Sequence, residues 1–93
     1  NKMKEGYKLK LEGKLIKGTK ITRRELFEKE DDSMPFREML EECLISLCRE
    51  LDIPVPIWMK KNTHEFATFH RTFFTADQFP EKVNFDRFEI KIV

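Results

Sequence analysis

The chain has 93 residues, 40% of them apolar and 38% charged, with nine phenylalanines. That is too much hydrophobic material for a disordered chain, too much charge for a membrane protein and too little length for a second domain. The formal net charge of +1 conceals a segregation, because residues 1–24 sum to +7, residues 25–52 to −7 and the remainder to +1.

One domain spanning residues 1–93 is therefore expected, with residues 1–6 as a flexible N-terminus. No apolar run approaches the roughly 20 residues needed to cross a bilayer. The lysine-rich start lacks the apolar segment of an export signal, so a cytoplasmic protein without membrane association is expected.

Tyr7, Leu9, Leu11 and Leu15 alternate with Lys8, Lys10, Glu12 and Lys14, the period of two of a strand with one face on a core and the other in water. Gly13 interrupts the row. Gly18 and Thr19 make a turn, and Lys20 to Glu28 reads as the returning arm of a hairpin. Leu26 and Phe27 are adjacent and must point to opposite faces unless a bulge intervenes.

Phe36, Met39, Leu40, Cys43, Leu44, Leu47 and Leu51 recur at spacings of three and four, which draws one apolar stripe on a helix. Asp32 or Ser33 is placed to cap it, Pro35 to lie in its first turn, and Pro54 to stop it near Asp52. Cys43 and Cys48 are the only cysteines. Five positions apart on one helix, they point about 140° from each other and are expected to stay reduced, which again favours the cytoplasm.

Ile53-Pro54-Val55-Pro56 must be extended. Residues 57–74 read both ways: Phe66, Phe69 and Phe73 have helical spacing, yet Phe69, Arg71 and Phe73 also alternate. A turn or short helix to about Glu65, followed by a strand, is favoured. Thr75 with Gln78 has the pattern of a capping box, predicting one helical turn ended before Pro80. Phe88, Ile90 and Ile92 alternate with charged residues in a final half-buried strand.

This order, with Ile53-Pro54 after the helix and the Thr75 to Phe79 turn before the last strand, resembles the β-grasp (ubiquitin-like) arrangement over residues 7–93. The resemblance implies an α+β fold: an N-terminal β-hairpin and one long amphipathic helix packed on a four-stranded mixed sheet. In it the last strand lies beside the first, in parallel, at the centre. The chain ends Lys91-Ile92-Val93 without paired glycines, so a conjugated tag is not implied. Leu47 to Trp58 and Val83 to Ile90 also resemble a family of small uncharacterised bacterial proteins, for which no activity is carried over.

Chemistry is thinly represented. Cys43-x4-Cys48 and His64-x5-His70 lie at the outer limit of zinc-finger spacing, but Cys43 belongs to the apolar stripe and Cys48 borders it, so no metal and no cofactor is assigned. Neither thiol has the polar, histidine-bearing setting of a nucleophile, Ser33 and Ser46 read as a cap and a solvated helix residue, and no glycine-rich phosphate loop exists. Glu38, Glu41 and Glu42 form a solvated helix face. No catalytic residue is assigned.

Two surfaces remain. Trp58, Lys60, Lys61, Asn62 and Arg71 follow a rigid connector and form a candidate protein-binding patch, set against the commoner role of a tryptophan as a lid on the core edge. Lys8, Lys10, Lys14, Lys17, Lys20, Arg23 and Arg24 form a basic hairpin, the alternative nucleic-acid patch, set against the need of a sheet edge for solubilising lysines. The leading expectation is a non-catalytic protein-interaction or accessory module with an unidentified protein partner, and nucleic-acid binding is the alternative. No sequence feature decides the oligomeric state.

Overall fold

The computed structural model describes residues 7–93, so the expectation for residues 1–6 lies outside the described residues. The elements are strands β1 (Tyr7–Lys17) and β2 (Lys20–Asp31), helices α1 (Phe36–Leu51) and α2 (Lys60–Phe69), strand β3 (Arg71–Thr75), a 3-10 turn (Ala76–Gln78) and strand β4 (Arg87–Ile92). The strand order is β2-β1-β4-β3, and every neighbouring pair is antiparallel.

Two expectations are corrected here. The last strand does lie beside the first at the centre of the sheet, but it runs antiparallel to it, so the sheet is antiparallel and not mixed. The fold also has a second full helix, α2, where one long helix and only a turn or short helix to about Glu65 were expected. His70 alone joins α2 to β3.

The hairpin turns through Gly18 and Thr19, with Lys17 opposite Lys20. Gly18 sits at φ +64°, the left-handed value that favours glycine at the first centre of a tight hairpin turn. Its N–H donates to Asp86 Oδ2 at 2.6 Å, tying the hairpin tip to the loop before β4. The irregularity lies opposite the step from Leu15 to Ile16, where Thr22 is the extra residue. Leu26 and Phe27 accordingly face opposite sides, with Leu26 exposed and Phe27 packed on the core.

One face of the sheet is covered. Leu9, Leu11 and Leu15 of β1 and Phe88 and Ile90 of β4 meet Met39, Cys43, Leu44, Leu47, Cys48 and Leu51 of α1, with Phe66 of α2 and Phe74 of β3 completing the layer. Gly13 has a packing reason: a Cβ there would stand 3.0 Å from Phe88 Cε1 and 3.3 Å from Leu47 Cδ1. A larger residue would push the strand and helix apart.

Helix α1 begins one residue later than its first-turn proline suggested. Pro35 is the N-cap, and Asp31 instead accepts from the Ser33 N–H and hydroxyl at 2.9 and 2.8 Å, which holds its carboxyl below the usual range. The helix ends as expected at Asp52, which takes φ +58°. There the Asp52 N–H donates to Arg49 O and the Ile53 N–H to Cys48 O, the paired bonds of a Schellman ending.

Candidate functional site

Functional side chains gather in three regions: the groove between the helices, the polar cluster beneath it and the charged open face of the sheet. The groove runs between α1 and the connector that leads into α2. It encloses about 520 Å³ and is lined chiefly by Phe36, Leu40, Leu44, Val55, Trp58 and Phe66, with Arg37 and Glu41 on the α1 side. Phe36 is 43% exposed and Val55 41%, so the groove presents apolar surface to solvent. Its wall is rigid for a sequence reason: Pro54 and Pro56 hold the connector extended, and Trp58 packs edge-on against Phe66 and tilted on Phe74. The Trp58 indole N–H donates to Thr63 Oγ1 at 2.7 Å, which fixes the ring's orientation.

Beneath this wall lies a buried polar cluster. Asn62 accepts from the Met59 N–H at 2.9 Å, closing the first turn of α2, and its amide donates to Thr72 Oγ1 at 2.8 Å and Phe73 O at 2.9 Å. Gln78 accepts from the Thr75 N–H at 3.1 Å, as the capping pattern predicts, and donates to Ile57 O at 3.1 Å and to Asn62 Oδ1 at 2.9 Å. Among the described residues no buried side-chain N or O lacks a partner. The cluster is thus satisfied internally, and its chemistry is that of a brace.

The predicted protein-binding patch is accordingly divided. Trp58 lines the groove, while Lys60 and Lys61 are exposed at the start of α2. Asn62 has no exposed surface and cannot touch a partner. Arg71 is on the other side of the sheet, opposite Lys91 in the register, with its Nε 3.8 Å from Glu89. The structure does not bring Arg71 and Trp58 together.

The basic hairpin is divided too. Lys8, Lys10, Lys14 and Arg24 share the open face, whereas Arg23 lies opposite Leu15 on the helix-covered side and donates to Glu50 O of α1 at 3.3 Å. Lys8 meets Glu28 at 3.0 Å, and that hydrogen bond raises its pKa. Arg24 pairs with Glu12, and Lys14 lies 3.8 Å from Glu12 and 3.7 Å from Glu89. Lys17 and Lys20 stand exposed at the turn, and Lys10 is exposed on β1.

Sequence reasoning missed the network these contacts make. Arg24, Glu12, Lys14, Glu89 and Arg71 run in one line across β2, β1, β4 and β3, and the two carboxylates are only 4% and 7% exposed. Beside it Arg87 stacks 5.0 Å over the Phe73 ring. Alternation placed Glu12 and Glu89 on a solvent face, but only the strand order shows that basic side chains cover them. Sequence reasoning also missed the exposure of Phe36, since an apolar residue on a helix stripe reads as core, and gave no reason to place Val55 of the connector beside it.

The reactive side chains do not converge. Both thiols are free and buried, and burial raises the Cys43 pKa and pushes Cys48 up to about 12, which leaves them protonated and weakly nucleophilic at neutral pH. His64 and His70 are exposed on α2 and at its end. Among the described residues no three His, Cys, Asp or Glu side chains are grouped to hold a metal, and no helix is long and apolar enough to cross a membrane. No protein-family model, curated protein or solved structure matches the chain.

Proposed function

We propose that the chain is a non-catalytic protein-interaction module of the cytoplasm, and that the groove between α1 and α2 receives its partner. The observation that supports this reading is the open apolar groove itself, walled by a connector that two prolines and an anchored tryptophan hold in place. A preformed apolar cleft loses little entropy on binding, and an aromatic wall is a common anchor in interfaces. The fitting partner is a segment that inserts one or two apolar side chains between Phe36, Val55 and Trp58 and has polar flanks for Arg37 and Glu41. The unbridged thiols suit a reducing compartment.

The test is affinity capture from lysate with the intact protein and with Phe36→Glu and Val55→Glu variants, whose side chains are exposed enough to keep the fold. A partner recovered by the intact chain and reduced at least about tenfold by each variant is expected, since a charge in an apolar contact costs on the order of 1–3 kcal/mol. Equal recovery by all three proteins overturns the reading. The nucleic-acid alternative is less favoured, because Lys8, Lys14, Arg23 and Arg24 already face carboxylates of the same chain. It predicts a salt-sensitive shift of a random oligonucleotide, lost on replacing Lys10, Lys17 and Lys20.

A further inference from the structure

Strand β2 is a sheet edge twelve residues long, and among the described residues only β1 pairs with it. Such an edge offers a row of unpaired backbone N–H and C=O groups to any strand of suitable sequence. Charges ordinarily discourage this pairing. On β2, however, their order is antisymmetric: Arg23, Arg24 and Glu25 precede Phe27, and Lys29, Glu30 and Asp31 follow it.

We infer that β2 is the contact through which two copies of this chain pair, antiparallel about a two-fold axis at Phe27, to form one continuous eight-stranded sheet. A two-fold pairing puts directly opposite residues on the same face. Centred at Phe27, it sets Arg23 against Asp31, Arg24 against Glu30 and Glu25 against Lys29 of the second copy. Each of these pairings has opposite charge, and symmetry makes each of them twice. Within one chain Arg23, Arg24 and Lys29 already meet Glu25, Glu12 and Glu42, so the pairing shares or exchanges those contacts and does not fill empty ones. Leu26, 51% exposed in the single chain, stands directly opposite Glu28 of the second copy and becomes the diagonal neighbour of its own counterpart. The neighbouring registers are worse. Sliding the copies by two residues one way keeps one attraction, Arg24 against Glu28, but cancels it by setting Arg23 against Lys29, and the other way sets Glu25 against Asp31 and Glu28 against itself. The charges therefore select one register and one partner, where a purely basic edge would repel a copy of itself.

Sedimentation equilibrium and a charge exchange test this pairing. The unaltered chain is expected to double its mass as concentration rises to about 100 µM and to revert in about 1 M salt. Lys29→Glu and Glu25→Lys, each folded by circular dichroism, are each expected to self-associate about tenfold or more weakly, because attraction becomes repulsion at two symmetric positions. Mixed in equal amounts, they restore opposite charge at both positions and are expected to form a 1:1 complex as tight as the original. Amide exchange on the unaltered chain needs no variant, and β2 amides that point away from β1 gain protection with concentration if the pairing holds. A chain that stays monomeric without such protection overturns the inference. So do charge variants that dimerise as the parent does, or a mixture that fails to associate.

Discussion

Burial pushes the Cys48 thiol from 9.0 up to about 12, and that shift makes stability depend on pH. Below about pH 9 the thiol is protonated in both folded and unfolded chains, so its contribution is whole. As pH rises from about 9 toward 12 the unfolded chain ionises first, and stability is lost across that window. Denaturant unfolding at pH 8 and at pH 10.5 is expected to show a lower midpoint at the higher pH, and Cys48→Ala to flatten part of that decline. Cys43, also raised by burial, supplies a further part. An unchanged pH slope in the variant would show that the thiol is more open to water than its 1% exposure indicates. At this scale the sequence was informative about Cys43, which sits on the helix stripe, and less so about Cys48, placed at its border and found in the core.

Both helices end on a residue in the left-handed region, Asp52 and His70, each at φ +58°. A side chain there costs about 1 kcal/mol relative to glycine, and Asp52 also places a negative charge at the negative end of the α1 dipole. Asp52→Gly and His70→Gly are each expected to raise stability by about 0.5–1 kcal/mol, read as an increase of a few degrees in Tm. No gain from either would mean that the native side chains make compensating contacts. The stop of α1 was legible from Pro54, and its apolar stripe from spacing. The extent of α2 was not, because Phe66, Phe69 and Phe73 satisfy two periods at once. In the fold Phe66 is 6% exposed and Phe69 61%, so burial of one ring and the Asn62 bond to the Met59 N–H favoured the helix.

At the scale of the molecule, Asn62 and Gln78 join α2, β3, the connector and the 3-10 turn through one amide-to-amide hydrogen bond of 2.9 Å. Asn62→Ala is expected to cost about 2–4 kcal/mol, because it strips partners from several buried groups together. It should also speed amide exchange at Met59 before the rest of the sheet opens. A loss under 1 kcal/mol would mean that water takes over these bonds. The same brace holds Trp58 at the groove, so the variant is also expected to soften the proposed binding wall.

The alternation of Leu9, Leu11 and Leu15, the stripe from Met39 to Leu51 and the capping pattern at Thr75 were readable in the sequence because each depends on residues a few positions apart, within one element. Strand direction, the length of α2, the line of charges from Arg24 to Arg71 and the opening of the groove at Phe36 depend on which elements become neighbours. Residues such as Glu12 and Glu89 are 77 positions apart yet share Lys14. Periodicity tells a side chain which face to take, and only tertiary packing decides what covers that face.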